Sequence, residues 1–349
     1  MLSSSHLYAG HVFGGEIMYE CLGGLNYEVT LVLYRDCPAA IFGSSQQIQI
    51  SSINCQQNLF MQVDTIIGAV TELPITLSGM ITDCNGGTLP NLERWEYRGT
   101  VSLPANCWDW VFTYSTCCRN DYANALNVSS FPGTGIFAWL NNIDGPCNNS
   151  PRFSEDPFHS ICLGNSYTMD NSTTDVDGDT PEYELFPAFD ENGNDLMYYS
   201  PYSFLSPLIS SPIAQMGLST GLFEFTPQEL DQPVVVFIVN EFRNGTIVGS
   251  VMREIQLNVL PVAGPCTTDI LEEKEKTLNF YPNPSSGLLY YDPGIAIDKV
   301  QLMDQLGRTT VLVVKNGQID LPNDLENGSY KLVIGSNDQL YFKSIILLR

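Results

Sequence analysis

The residues best suited to chemistry form an acidic turn in the middle of the chain. Asp175, Asp177 and Asp179 alternate around a glycine, and such carboxylates can converge on one hard cation because calcium takes six to eight oxygen ligands. Asp170 and Glu182 are further candidate ligands. The turn lacks the helix-loop-helix calcium pattern, and aspartate also favours tight corners by bonding its own backbone. A calcium site and a structural turn therefore both remain open.

A serine within a glycine-rich segment could suggest a hydrolase. The stretch Gly217-Leu218-Ser219-Thr220-Gly221 matches the Gly-x-Ser-x-Gly pattern of a nucleophile elbow. The residues that follow alternate as a strand, and no histidine follows Ser219, so we predict a hairpin instead. The three histidines, His6, His11 and His159, lack metal-ligand spacing. We therefore expect a protein without a catalytic site.

Two tryptophans could bind a sugar. Trp108 and Trp110 would lie on one face of a strand because side chains alternate with a period of two. Aromatic rings on one face can stack on the apolar face of a pyranose. Ordinary core packing is the alternative, since aromatic side chains dominate protein cores.

Composition narrows the classes of partner. The 349 residues carry 15 basic and 39 acidic side chains, a net charge of −24, which opposes binding to nucleic acid or anionic membranes. A hydrophobic content of 44% is enough to fill cores. The longest apolar runs are too short for a membrane span, so we predict none.

The cysteines indicate disulfides. They are dispersed and lack zinc-ligand spacing, which in an exported protein favours disulfide bonds. Cys117 and Cys118 are adjacent, so on a strand they would face opposite ways and have different partners. Seven cysteines precede residue 146, so Cys147 could close a first domain while Cys162 and Cys266 bracket a second. The full set is Cys21, Cys37, Cys55, Cys84, Cys107, Cys117, Cys118, Cys147, Cys162 and Cys266.

Alternating apolar residues separated by Gly, Pro and Asn clusters predict an all-β chain. We divide it into a disulfide-rich sandwich at 1–146, a second sandwich at 147–264, a charged linker at 265–278 and a small sandwich at 279–349. The predicted strands of the first part are 15–21, 26–34, 46–52, 93–103 and 108–115, and those of the second part are 234–241 and 250–260. In the small sandwich they are 300–303, 310–314, 318–321, 330–334 and 341–348, with tight turns at Asn316-Gly317 and Asn327-Gly328.

The last seventy residues resemble the type A C-terminal sorting domain of cargo exported by the type IX secretion system of Bacteroidota. The matching positions are Tyr281, Pro282, Asn283, Pro284, Gly287, Gly307, Gly328 and Tyr330. The resemblance implies two partners, an outer-membrane translocon and a surface sortase that removes the domain. It implies a location outside the cell or on the outer-membrane surface of a Gram-negative bacterium. Such cargo begins with a secretory leader, which the first residues, Met1 to His6, do not resemble.

The remainder of the chain resembles surface proteins of the same bacteria. Residues 14–23 and 31–37 are similar to the N-terminal module of gliding-associated or adhesin-like secreted proteins. Residues 147–264 resemble a cadherin-like or immunoglobulin-like sandwich, in which an acidic turn and a Thr-Gly hairpin recur. The expected fold is therefore a tandem of such sandwiches followed by the sorting domain.

These features together predict a secreted, non-catalytic surface protein that acts as an adhesin or structural component. One alternative is a carbohydrate-binding module or accessory of a secreted hydrolase. Another is the self-assembling subunit of an extracellular filament or sheath. A glycan or protein ligand at the surface would fit the first two, and calcium is the one cofactor considered.

Overall fold

A computed structural model describes residues 12–37, 42–77, 79–116, 119, 133–262, 266, 280–291, 299–303, 309–315, 317–323, 325–336 and 339–349. The chain is all-β, as predicted, and its described part contains 24 strands and one short 3-10 helix, Asp83–Asn85. It forms two compact units, residues 1–267 and 268–349. Among the described residues no helix is long and apolar enough to cross a membrane. Of the predicted linker at 265–278, the description includes Cys266 alone.

The large unit contains seventeen of the described strands. They are β1 (Val12–Gly23), β2 (Asn26–Asp36), β3 (Ser45–Ser52), β4 (Gln57–Glu72), β5 (Leu92–Ser102), β6 (Trp110–Thr116), β7 (Thr134–Leu140), β8 (Arg152–Phe153), β9 (Ser160–Cys162), β10 (Tyr167–Asp170), β11 (Thr173–Thr174), β12 (Thr180–Leu185), β13 (Gln215–Met216), β14 (Leu222–Phe225), β15 (Val234–Arg243), β16 (Thr246–Gln256) and β17 (Asn258–Leu260).

Eight strands of the large unit form a sheet that closes on itself. Their order is β1, β2, β5, β4, β3, β6, β7 and β16, and β16 pairs back onto β1. The opposite edge of β16 pairs with β15, which pairs in turn with β12. The smaller sheet β10-β14-β13 covers part of the outside.

The apolar segments from which we predicted strands are buried on both faces of this sheet. Leu31 and Leu33 of β2 belong to the core enclosed by the eight strands, whereas Val32 and Tyr34 belong to a second core outside. Successive side chains of a strand point to opposite faces, so a strand between two cores is apolar without interruption. Phe223 of the covering sheet packs in the outer core.

The two N-terminal stretches predicted as tandem sandwiches share this closed sheet. Strands β1 and β7 come from residues 1–146, yet both pair with β16 from residues 147–264. The boundary at residues 146 and 147 therefore lies within one compact unit. The alternation of apolar and polar residues indicates which residues form strands but not which strands pair. Both edges of β16 need partners because buried backbone N–H and C=O groups must be hydrogen-bonded.

Two buried ion pairs cross this junction. Neighbouring residues Arg253 and Glu254 of β16 point to opposite faces of the sheet. The guanidinium of Arg253 donates to Glu16 at 2.5 Å, and Arg119 donates to Glu254. Arg253 also lies 3.6 Å from the ring centroid of Phe153. Arg253 and the two terminal nitrogens of Arg119 donate to acceptors in the interior, which compensates these buried charges.

The C-terminal unit consists of two sheets around its own core. Its described strands are β18 (Leu288–Tyr290), β19 (Lys299–Met303), β20 (Thr309–Leu312), β21 (Val314–Lys315), β22 (Gln318–Asp320), β23 (Gly328–Ser336) and β24 (Gln339–Leu347). The sheet orders are β18-β22-β21 and β20-β19-β23-β24. Leu289 and Ile319 of the first sheet share a core with Leu332 and Ile345 of the second.

Four of the five strands predicted in this unit are present within a few residues, and the one predicted at 310–314 is divided into β20 and β21, which belong to different sheets. Gly317 has a φ of 79° in the tight turn between β21 and β22, as its sequence indicated. Gly328 differs from the prediction, because it begins β23 opposite Leu347 and is not among the glycines with positive φ.

Candidate functional site

The acidic turn connects β11 to β12. The backbone N–H of Asp179 donates to Oδ1 of Asp175 at 2.9 Å, and Gly178 provides a left-handed φ of 78°. An aspartate that accepts from the backbone a few residues later is a standard turn device. The turn brings the carboxylates of Asp175 and Asp179 to the same side.

A third carboxylate, absent from the predicted set, completes the cluster. One oxygen each from Asp175, Asp179 and Glu241 lie within 4.8 Å of one another. Glu241 stands near the end of β15 and is only 1% exposed. A glutamate two positions after six apolar residues of a buried strand was the signal that could have identified it.

The other predicted ligands do not join this cluster. Asp177 accepts instead from the backbone N–H and side-chain amide of Asn149, at 2.8 and 3.0 Å. Asp170 accepts from the backbone of Ser172 at 2.7 Å, and Glu182 lies exposed on β12. The cluster thus differs from the predicted set of Asp175, Asp177 and Asp179, because Asp177 lies against Asn149 and Arg243.

The electrostatics of the cluster are uneven. Arg243 donates to both oxygens of Asp179, at 2.8 and 2.6 Å, and these hydrogen bonds raise the pKa of Arg243. Burial, together with the neighbouring carboxyl of Asp175, raises the pKa of Glu241 to about 10. Asn148 donates its side-chain amide to Oε2 of Glu241 at 3.0 Å. Among the residues that the structure describes, one acid of the cluster is thus compensated by a cation and two are not.

Space for Glu241 depends on a glycine. A Cβ at Gly249 would lie 2.0 Å from Oε2 of Glu241 and 2.5 Å from the hydroxyl of Tyr19. Gly249 belongs to β16 and pairs with Leu140 of β7. A side chain at this position would displace the buried carboxylate.

Four disulfides cross-link the large unit. They join Cys21 to Cys147, Cys37 to Cys84, Cys55 to Cys107 and Cys162 to Cys266. Cys147 thus pairs with a cysteine of the predicted first domain, which it was expected to close. The bond between Cys162 and Cys266 joins the two cysteines that were expected to bracket the predicted second domain. Cys117 and Cys118 lie outside the described residues, and the eight other cysteines pair among themselves.

The two predicted sugar-binding tryptophans do not share a face. Trp110 is completely buried in the core of the closed sheet and donates to the carbonyl of Ala105 at 3.2 Å. Trp108 precedes β6 and is 52% exposed. The period of two fails because the strand begins only at Trp110.

Another aromatic surface is available on the outside of the sheet. A groove of about 490 Å³ is bordered by the rings of Phe137, Trp139, Phe186 and Phe189. The three phenylalanines pack edge to face or tilted, with ring centroids 5.6 to 6.1 Å apart. The sequence did not indicate this groove, since its rings come from β7 and a loop distant along the chain.

The serine and histidine candidates have structural roles. Residues 217–221 join β13 to β14 in an antiparallel hairpin, which confirms the hairpin prediction for the segment around Ser219. His159 is buried, and its Nδ1 lies 2.7 Å from the carbonyl of Gln256, so Nδ1 carries the proton and donates. Burial lowers the pKa of His159 to about 4. His6 and His11 lie outside the described residues.

The opening motif of the C-terminal unit lies against its last strand. The side-chain amide of Asn283 donates to the carbonyl of Ser344 at 3.1 Å, and its oxygen accepts from the N–H of Ile346 at 2.8 Å. Ser285 continues the pairing, donating to Ile346 at 2.7 Å and accepting from Leu348 at 2.8 Å. The side chain of Asn283 therefore makes the two hydrogen bonds to the last strand that the backbone of a paired strand residue would make.

Arg349, the last residue of the sequence, contributes to the same closure. Its backbone N–H donates to Oδ1 of Asn327 at 2.8 Å. Gly287 faces its guanidinium, so a Cβ there would lie 3.3 Å from Nη2. The guanidinium donates to the carbonyls of Leu321, Pro322, Asn323, Leu325 and Ser286, at 2.7 to 3.4 Å.

The remaining motif positions have different environments. Pro282 and Pro284 flank Asn283, and both follow cis peptide bonds. The backbone of Tyr281 pairs with that of Tyr290, and the hydroxyl of Tyr330 donates to the carbonyl of Glu326 at 2.8 Å. Gly307 lies outside the described residues.

Comparisons with known proteins assign no family. No family model and no curated protein matches the chain. Extracellular domains 3–5 of Drosophila OTK align at 9% identity and a TM-score of 0.21, covering 95% of this chain and 96% of that chain. The BSP domain of a biofilm-associated protein aligns at 10% identity and a TM-score of 0.17, covering 100% of this chain and 84% of that chain. Neither score supports an argument about fold or function.

Proposed function

We propose that this chain is a secreted, non-catalytic surface protein whose C-terminal unit directs its export by the type IX secretion system. The large unit would remain at the cell surface of a Gram-negative bacterium as an adhesin or structural component. The C-terminal unit would be recognised by the translocon and then removed by the surface sortase.

The main support is how the C-terminal unit closes. Asn283, Ser285 and Gly287 of the opening motif contact the last strand or Arg349, so residues from both ends of the unit define one seam. A domain closed in this way, with its own core, can fold independently of its cargo. An export machine that handles many cargoes needs a signal of that kind.

The large unit supports the extracellular part of the proposal. Its four disulfides are typical of proteins that function in oxidising surroundings. The C-terminal unit contains no cysteine. The cross-links are thus confined to the part that would remain in use after removal of the signal.

A reporter fusion tests the proposal. A fluorescent protein with a secretory leader and residues 268–349 is expressed in a bacterium that has a type IX system. We expect the reporter at the cell surface or in the medium. Asn283→Ala and Arg349→Ala should retain it in the periplasm, whereas Thr310→Ala on exposed β20 should not. Periplasmic retention of the unmodified fusion would refute the proposal.

Carbohydrate binding is a second candidate for the large unit. The groove beside Trp139 offers a half-buried aromatic surface, and Asn240 and Ser250 contribute polar groups at its border. A glycan array with the whole protein tests this candidate. Binding that disappears in Trp139→Ala and persists in Trp108→Ala would support the groove, and an array without any hit would exclude glycans as the ligand.

A further inference from the structure

The cluster of Asp175, Asp179 and Glu241 joins two distant parts of the large unit. The aspartates belong to the turn between β11 and β12, whereas the glutamate belongs to β15. Their nearest oxygens lie within 4.8 Å of one another. That spacing is suitable for shared coordination of one ion with oxygen ligands at 2.3 to 2.6 Å.

Two oxygens in this cluster are buried without a hydrogen-bond partner. They are Oε1 of Glu241 and Oδ2 of Asp175. Glu241 is 1% exposed, and its other oxygen already accepts from Asn148. A buried carboxylate oxygen needs a donor or a cation, because water is excluded from it. The unsatisfied oxygens therefore point to a ligand.

The cluster has an excess of negative charge that a divalent cation would neutralise. Arg243 is the one cationic side chain within ion-pair distance of it in the described residues, and it contacts Asp179 at 2.6 Å and Asp177 at 3.2 Å. Asp175 and Glu241 have no cationic partner among those residues. Among the described residues, the groups beside Glu241 include two neutral ones, the amide of Asn148 and the hydroxyl of Tyr19.

The donor chemistry selects the ion. The cluster offers carboxylate oxygens and no sulfur or imidazole, a set that favours calcium, magnesium or manganese over zinc or copper. A turn and a strand end provide ligands of mixed geometry, which calcium accepts more readily than magnesium does.

We propose that Asp175, Asp179 and Glu241 bind one calcium ion that fastens the acidic turn to β15. The ion completes a junction that already includes Asn148 and Asn149, next to the disulfide of Cys147. Calcium thereby controls the rigidity of this end of the large unit. This role is independent of the export route.

Calorimetry on the whole protein tests the proposal. After treatment with EDTA and dialysis, calcium is titrated while heat and the melting of the large unit are recorded. We expect one site per chain, with a melting temperature that rises as calcium is added. Magnesium should bind at least tenfold more weakly. Absence of heat and of a melting shift at millimolar calcium would overturn the proposal, and equal affinity for magnesium would overturn the assignment of calcium.

Variants distinguish this site from the neighbouring acids. Glu241→Gln and Asp175→Asn should each weaken calcium binding at least a hundredfold. Asp177→Asn should retain it, because Asp177 contacts Asn149 and Arg243 and is not one of the three clustered carboxylates. Asp190→Asn is a matched control, since Asp190 forms a similar turn by accepting from the N–H of Asn192 and Asn194. An equal loss in Asp177→Asn would contradict the assigned ligands.

A shared proton is the competing explanation of the close carboxyls. In that case the protein would not respond to calcium, and Glu241→Gln would be as stable as the parent protein in EDTA and in calcium alike. That result would overturn the proposal even if the variants fold normally. A calcium response that Glu241→Gln removes would support it.

Discussion

The large unit and the C-terminal unit reach stability by different means. The large unit closes a sheet through β16 and adds four disulfides and two buried ion pairs. The C-terminal unit has a single small core, and its ends are joined by hydrogen bonds of Asn283, Ser285 and Arg349. Covalent cross-links would suit the extracellular role that we propose for the large unit, and hydrogen bonds would suit the brief sorting role that we propose for the C-terminal unit. The two units should therefore unfold in separate calorimetric transitions.

The largest expected effect is the loss of the disulfide between Cys21 and Cys147. It closes a loop with a sequence separation of 126, so the chain-entropy relation gives a loss of about 4 to 5 kcal/mol in the free energy of unfolding. The double substitution Cys21→Ser and Cys147→Ser should lower the melting temperature of the large unit alone. A shift of both transitions would show that the units are not independent.

A buried aromatic residue gives the next effect. Trp110→Ala should destabilise the large unit by about 4 kcal/mol because it leaves a cavity in the core of the closed sheet. Trp108→Ala should change its stability by less than about 0.5 kcal/mol, since Trp108 is half exposed. Denaturant unfolding of both variants measures the difference. Similar losses would contradict the assignment of Trp108 to the surface.

Lowering the pH should affect the stability of the two units differently, because His159 belongs to the large unit. Its folded pKa is about 4, below the usual 6.5, so the unfolded chain binds the extra proton and stability falls as the pH drops from 6.5 towards 4. Between pH 7 and 5 this histidine should cost the large unit about 2 kcal/mol. His159→Gln should remove that part of the pH dependence. The C-terminal unit has no histidine and should change little in this range.

The smallest effect concerns the seam of the C-terminal unit. Asn283→Ala removes two hydrogen bonds to the last strand, which should cost about 1 kcal/mol because the site is exposed. Thr310→Ala, the control, should be neutral. The melting of the second transition measures both. An unchanged transition in Asn283→Ala would show that the seam contributes no stability.

Much of the strand content could be predicted, because alternation and turn residues are local signals. Four of the five predicted C-terminal strands exist as single strands, as does the hairpin around Ser219. Strand pairing could not be predicted in the same way. The contact of β1 with β16 depends on residues such as Glu16 and Arg253, whose pairing is visible only once the chain has folded.

The candidate cation site shows the same limit. Asp175 and Asp179 were identifiable because the turn presents them together in the sequence. Glu241 was not, since its proximity results from pairing of β12 with β15 and from the space left by Gly249. A charged residue within an apolar strand indicates that its side chain is buried, but it does not indicate which residues that side chain contacts.

Closure of the eight-stranded sheet also limits how this protein could polymerise. Within this sheet of the described chain, β12 is the strand left at the border, and Tyr183 there already donates to Leu218 at 2.9 Å. Pro181 lacks an N–H, and Glu182 and Glu184 would repel a second acidic chain. Any fibre built from this sheet would consequently rely on side-chain contacts rather than on strand addition.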